Sequence, residues 1–394
     1  MKKTFFHSIL GVLLFVLLSL TNVVAQTTST QTTSSVVKFR IYLRSNVSVE
    51  MGATVISKPG FPAYRSSSVL VLNGTGQTGK TFNALAQSVL ASDANVSKMV
   101  LLDYPGHGNS GFPVGNVKFG DLTMDDYVTA LLASLEQLEY RHIKVNALLG
   151  HSLGAEIIQM AQTRLVNRGD SLRRQFGIKS AVFIVPDIAS PLQWVAIDAG
   201  AADPLAANFV RTDPTLGSIF DLLTTPGGPD TWVGLFYGNL TGAIVPGAPT
   251  PAQAIANGFI SFDSGAMVKQ LIGLPDTPGG PRKPRPTINA NTFSRSKGTI
   301  AGVVALEQDG LYVFPDEHRA VYRFVTGDQT DNLFFTFTGS NTVHNIHTIT
   351  PSIYNGVIKR VLSTASQDDY RTYNNNNDSG DNNNVDVDAG KDEN

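Results

Sequence analysis

An α/β fold around a mostly parallel sheet is what this chain predicts, on two observations. Short apolar runs alternate with segments of helical period from Val69 onward, and one such run leads straight through Gly150-His151-Ser152-Leu153-Gly154 into a helix. The composition fits: 394 residues with 42% hydrophobic residues and 36 glycines can bury a substantial core. With 30 Lys+Arg against 32 Asp+Glu, the net charge of −2 supplies no basic field for a polyanion, so no nucleic-acid partner is expected. The absence of cysteine removes disulfides, thiolate nucleophiles and Cys-ligated metal sites together, leaving Ser, Thr, Asp, Glu, Lys or Tyr for covalent catalysis.

Taken in order, the chain opens with Lys2 and Lys3, an apolar run from Ile9 to Leu20, and small residues at Val23 and Ala25 before Gln26. Residues 1–25 read as a secretory signal peptide, which makes the mature protein extracellular; an uncleaved anchor is the other reading of the same segment, and no later segment approaches transmembrane length. Residues 26–37, rich in Thr, Ser and Gln, read as a linker, and residues 367–394, mostly Asn, Asp and Gly, as a solvated, disordered tail. Five sequons, at Asn46, Asn73, Asn95, Asn239 and Asn377, are acceptors for glycosylation in a eukaryotic secretory pathway.

The first core segment, residues 38–186, carries the alternation. Val69 to Leu72 is a buried strand, and Phe82, Leu85, Ala86, Val89 and Leu90 then share one helical face. A strand from Lys98 to Asp103 precedes a helix opened by a Thr123/Asp126 capping box, with Tyr127, Val128, Leu131, Leu132, Leu135 and Leu138 inward. A third strand, Ile143 to Leu149, runs into the Gly-His-Ser-Leu-Gly pentapeptide, and Ile157, Ile158, Met160, Ala161 and Leu165 resume helical period. A G-x-S-x-G on a strand-to-helix turn has a mechanical reason. Its glycines relieve crowding where the backbone doubles back, the Ser hydroxyl stands clear of the sheet, and the helix N-terminus aims N–H groups at a developing oxyanion.

With the strands and this turn in place, the sequence from about Val69 to Ala365 resembles the α/β-hydrolase family. Asn73-Gly74-Thr75-Gly76 is similar to that family's His-Gly oxyanion loop with Asn73 in place of His. Asp103-Tyr104-Pro105-Gly106-His107-Gly108-Asn109-Ser110 is similar to its Asp-x-x-Gly-His-Gly-x-Ser stretch. Ala305-Leu306-Glu307-Gln308-Asp309-Gly310 resembles the acid loop, which implies Asp309 as triad acid. His344-Asn345-Ile346-His347 before Pro351 resembles the terminal histidine segment, with Val343 where the family has Gly. The resemblance implies a serine hydrolase, with esterase or lipase chemistry foremost, in which Ser152 attacks a carbonyl and His344 acts as base. Thr75 and Leu153 would donate backbone N–H groups to the oxyanion, and no cofactor or metal takes part.

The order Ser152, Asp309, His344 is the order this fold requires. Among seven histidines only His344 and His347 lie between the last strand, Leu333 to Phe337, and the last helix. Spacing to Pro351 favours His344, with His347 as the alternative base. Asp187, just past the strand Ala181 to Val185, is the alternative acid. Residues 187–296 occupy the family's lid position and carry Trp194, Phe209, Phe220, Trp232, Phe236, Tyr237, Phe259 and Phe262, with Pro275 to Pro286 as the return linker to a second core segment, 297–366. The expected partner is a small-molecule ester with an apolar part; peptidase, lactonase and acyl-transfer chemistry would use the same residues.

Two other functions compete. Gly74-Thr75-Gly76-Gln77-Thr78-Gly79-Lys80-Thr81 matches the P-loop pattern G-x-x-x-x-G-K-[ST] between a strand and a helix. Against a nucleotide site stand the signal peptide, an Asp103 too close to Gly74 for a GTPase switch segment, and no base-reading motif beyond Asn167-Arg168-Gly169-Asp170. A non-catalytic relative binding an apolar ligand under the lid is the third reading, and the complete set of triad candidates argues against it.

Overall fold

The computed structural model describes residues 32–60, 67–115, 117, 119–186, 233–234, 236–239, 243–259, 288–309 and 315–378, with side chains in the last helix described to residue 367. Its centre is an eight-stranded sheet in the order β1-β2-β4-β3-β5-β6-β7-β8. The strands are β1 Thr33–Arg44, β2 Val47–Ser57, β3 Ser67–Leu72, β4 Val96–Leu102, β5 Ala147–His151, β6 Ser180–Ile184, β7 Ile300–Leu306 and β8 Phe334–Phe337. From β4 to β8 every neighbouring pair is parallel, while β2 pairs antiparallel with both β1 and β4.

Burial follows from position in that order. Strands β5, β6 and β7 are buried at every residue, as parallel strands covered on both faces must be. The edge strand β1 instead alternates, with Phe39, Ile41 and Leu43 buried and Lys38, Arg40, Tyr42 and Arg44 facing outward.

The described helices are α1 Asn83–Ser92, α2 Met124–Tyr140, α3 Leu153–Asn167, α4 Leu172–Phe176, α5 Pro251–Ala256, α6 Pro315–Thr326, α7 Ile346–Ile349 and α8 Asn355–Asp378. The capping box expected at Thr123 and Asp126 opens α2. Chain order leaves β3 toward β4 on one side and returns past it to β5 on the other. Right-handed crossovers therefore put α1 on the opposite face from α2 and α3. That reversal opens a crevice at the carboxyl ends of the strands, the place where this class of sheet binds ligands. The loops after β3, β5, β6, β7 and β8 all empty into that end.

Several expected boundaries move. The strand β1 begins at Thr33, inside the stretch 26–37 read as linker, because Thr33 to Val37 pair with Ser57 to Ala53 of β2. The strand expected from Ile143 starts at Ala147. His142 instead sits at positive φ in the turn that ends α2, its N–H bonded to Glu139 O. Helix α8 starts at Asn355 after a turn at Pro351 and continues past Gln367 to Asp378, into the segment read as disordered tail. The signal segment, Asp187, Trp194, Phe209, Phe220, Trp232, Phe262 and the return linker lie outside the described residues.

One buried carboxylate ties the first two βα loops together. Asp103, 2% exposed, accepts Gly79 N–H at 2.6 Å and Asn109 N–H at 2.8 Å. Burial pushes its carboxyl up, and the Asn109 and Gly79 N–H groups pull it back. Removing it leaves one buried and one half-buried N–H unpaired, so Asp103→Ala is expected to lower the unfolding free energy by roughly 2–4 kcal/mol. Urea denaturation measures this, and an unchanged midpoint would refute the tie.

Candidate active site

Ser152 stands between β5 and α3 with φ 51° and ψ −123°, a backbone that non-glycine residues seldom adopt. Its N–H is anchored to Ile184 O at 2.9 Å, and the flanking glycines make the turn possible. A Cβ on Gly150 would lie 2.5 Å from Ala155 N, and one on Gly154 would collide with Leu72 O. Both flanks of the pentapeptide are therefore fixed by backbone approach, which is the mechanical reason the sequence pattern suggested.

The loop after β3 abuts this turn: a Cβ on Gly74 would lie 3.0 Å from Ser152 Cβ. The loop is closed on itself. Gly74 N–H donates to Gln77 Oε1 at 3.2 Å, Gln77 N–H to Gly74 O at 3.3 Å, and Asn73 Nδ2 to Gln77 O. The Tyr104 hydroxyl holds its start through Asn73 O at 2.6 Å. Thr75, at the apex and 4% exposed, does not spend its N–H within the loop, and Leu153 N–H, the first of α3, points from a helix N-terminus.

Asp309 lies just past β7 and His344 just past β8, and the structure joins them: His344 Nδ1–H donates to Asp309 Oδ2 at 2.8 Å, both side chains being 0% exposed. His151, the variable residue of the pentapeptide, reaches across to the same histidine. Its Nε2–H donates to His344 O at 3.0 Å, and the two rings stand 4.7 Å apart. That bond fixes its tautomer, and burial, followed by the neighbouring His344 and His347, drives its pKa well below the ordinary value. His151 is thus a neutral connector between the Ser152 turn and the His344 loop.

The sequence alternatives separate. His347 stacks on Phe82 at 4.3 Å and 13°, neither ring nitrogen meets a partner among the described residues, and burial pushes its pKa down to about 3. It packs as an aromatic. Asp187 lies outside the described residues; its neighbour Pro186 approaches His318, whose pKa burial pushes down to about 4. Val185 before it takes φ 40°, strained for a β-branched residue.

The described part of the insertion seats directly on these loops. Thr78 N–H donates to Gly258 O at 2.9 Å, Asn345 N–H to Phe236 O at 3.1 Å, and Tyr237 Oη pairs with Thr348 Oγ1 at 2.8 Å. Val233, Phe236, Tyr237, Val245, Ala254 and Phe259 form an apolar cluster with Val343, and the Phe236 ring lies 5.4 Å from that of His344. The sequence placed Phe236, Tyr237 and Phe259 in the expected lid without individual roles, and gave no role to Gln77, Asn345 or His151.

The P-loop reading fails on the same geometry. Thr78 and Gly79 N–H groups go to Gly258 O and to Asp103, and Thr81 gives both its N–H and its hydroxyl to Thr78 O. Lys80 is exposed. The N–H groups of Thr78, Gly79 and Thr81, at the helix end of the pattern where a phosphate would sit, are thus spent inside the protein.

A family model described as "Alpha/beta hydrolase family" matches residues 69–326. No curated protein matches the chain by sequence. Among solved structures, the N-acyl homoserine lactonase AidH in complex with N-hexanoyl homoserine is 14% identical with a TM-score of 0.53, covering 84% of this chain and 98% of its own. An esterase from Thermogutta terrifontis is 13% identical with a TM-score of 0.52, covering 84% and 99%. An epoxide hydrolase from Vigna radiata is 14% identical with a TM-score of 0.50, covering 84% and 99%. At these identities the likeness is one of fold.

The buried histidines make stability depend on pH. His107 and His318 are pushed by burial to about 4, and His347 to about 3, from an ordinary 6.5. The unfolded chain binds more protons than the native one below 6.5, so stability is lost as pH falls from there toward the native values. His347→Phe removes one such group while keeping a ring on Phe82. It is expected to lose roughly 2 kcal/mol less than the parent between about pH 7.5 and 5, measured by chemical denaturation. Equal losses would mean that His347 is not held neutral by burial.

Proposed function

Because this chain belongs to the alpha/beta hydrolase family, we propose that it is an exported serine hydrolase that cleaves carboxylic esters through Ser152, His344 and Asp309. The buried His344–Asp309 hydrogen bond carries the reading. A carboxylate that fixes Nδ1–H leaves Nε2 as the atom with a lone pair, which is what a serine hydroxyl needs from its base. In this mechanism His344 Nε2 takes the Ser152 proton as Oγ attacks the ester carbonyl. Asp309 stabilises the imidazolium without taking its proton. Thr75 and Leu153 N–H groups receive the negative charge that moves onto the carbonyl oxygen.

Collapse of the tetrahedral species breaks the acyl–oxygen bond, and His344 returns the proton to the departing alcohol. Water, deprotonated by the same Nε2, then releases the acid and restores Ser152. A serine at the turn, in place of a carboxylate, directs the reaction through an acyl-enzyme. The apolar side chains around His344, Phe236 and Val343 among them, suit a substrate with an apolar acyl part, and the AidH complex shows that a chain of this fold takes an acylated homoserine. Export rests on the Lys2-Lys3 start and the apolar Ile9 to Leu20 run.

A fluorophosphonate probe is expected to label the purified protein and not Ser152→Ala. Labelling should slow by at least about a thousandfold in His344→Phe and persist in His347→Phe and Lys80→Ala. Labelling that survives in Ser152→Ala would refute the nucleophile, and loss in His347→Phe with retention in His344→Phe would reassign the base. Secreted protein should begin at Gln26 by N-terminal sequencing; a retained Met1 would refute cleavage.

A further inference from the structure

We infer that Gln77 is a positioning residue that locks the loop carrying Thr75 to the loop carrying His344, so that one side-chain amide sets the oxyanion donors and the base in common register. The inference rests on the serine-hydrolase reading above. Gln77 and Asn345 are both 0% exposed. Gln77 Oε1 accepts Gly74 N–H at 3.2 Å, and Gln77 Nε2 donates to Asn345 Oδ1 at 2.7 Å. The orientation is not arbitrary: a backbone N–H can only donate, so the oxygen of Gln77 must face Gly74 and its nitrogen must face Asn345. Asn345 follows His344 directly in the chain, and Gly74 precedes Thr75. The amide therefore spans the two residues whose neighbours do the chemistry.

Burial makes the span rigid. Water cannot exchange for either bond, and releasing one end leaves a buried polar atom unpaired. The described insertion closes on the same two residues. The Gln77 backbone bridges to Phe259, and Asn345 N–H donates to Phe236 O. Neither Gln77 nor Asn345 needs to touch substrate for this role. They act through Thr75 and His344, and small displacements of such groups are costly in rate because alignment is lost before binding is.

Gln77→Met keeps side-chain length and removes both bonds. With a p-nitrophenyl ester, its kcat is expected to fall at least about tenfold with KM changed less than about threefold. Inhibition by a boronic acid, which places a tetrahedral oxygen where the oxyanion forms, should weaken by a similar factor. Asn345→Leu should behave alike, and the double variant should be no worse than the poorer single, since both break the same Gln77–Asn345 bond. Asn345→Asp keeps an oxygen for Nε2 and should retain more turnover than Asn345→Leu; this pair carries the test if Gln77→Met does not fold.

Multiplicative losses in the double variant, an effect on KM alone, or equal turnover of Asn345→Asp and Asn345→Leu would overturn the inference. Fluorophosphonate labelling separates the two levels. No labelling of the wild type overturns the serine-hydrolase reading and this inference with it. Equal labelling rates in wild type and Gln77→Met overturn this inference alone.

Discussion

Everything at this site depends on a backbone turn that a side chain on either flank would forbid. Ser152 occupies φ 51° because Gly150 lets the chain pass Ala155 N and Gly154 lets α3 press against Leu72 O, the last residue of the adjacent strand. That pressure is what brings the Ser152 turn against the loop after β3. Gly74, where a Cβ would lie 3.0 Å from Ser152 Cβ, in turn lets that loop come close to the serine. The strain at Ser152 is held by what surrounds it: strands β3 and β6 grip the turn on both sides, through Gly150 pairing with Leu72 and Ser152 N–H with Ile184 O.

From that fixed point the rest is assembled by side chains reaching between loops that are distant in sequence. Asp103 ties Gly79 to Asn109, His151 ties the turn to His344 O, and Gln77 ties the Thr75 loop to Asn345. Each is buried, and each is neutral or satisfied by N–H donors. The buried His344 ring packs against that of His151, which in turn lies 4.9 Å from the ring of His347. Burial keeps His151 and His347 uncharged, and the carboxylate that His344 meets is that of Asp309.

The sequence made the parallel half of the sheet legible and the antiparallel half less so. Val69 to Leu72 and Ala181 to Val185 stand out as apolar runs because strands covered on both faces have no room for polar residues, while the half-buried edge strand Leu333 to Phe337 stands out by its aromatics. The hairpin β1–β2 carries only alternation, Phe39, Ile41 and Leu43 against Lys38, Arg40 and Tyr42, and its first residues are the Thr and Ser that suggest a linker. Ser152, Asp309 and His344 stood out because each follows a strand in the order that the resemblance implies, and the structure joins the last two through one buried hydrogen bond. Gln77 and Asn345 were not, since an amide that works by bridging two loops leaves no spacing in either loop to betray it. His151 takes no role from the sequence for the same reason: its partner is a carbonyl, and a carbonyl has no residue type.

The P-loop pattern shows how far a motif can be right about backbone and wrong about ligand. Gly74 to Thr81 does form a glycine-rich turn between a strand and a helix, as the pattern requires. A phosphate site needs the N–H groups of such a turn to converge on open space. Here Gln77 folds its own amide back onto Gly74, Asp103 takes Gly79, and Gly258 takes Thr78. The glycines serve close approach in both cases: Gly79 admits Leu101, since a Cβ there would lie 2.9 Å from Leu101 Cβ. What distinguishes an anion cradle from a rigid loop is where the donors point, and that is decided by Gln77 and Asp103, two residues the pattern does not specify.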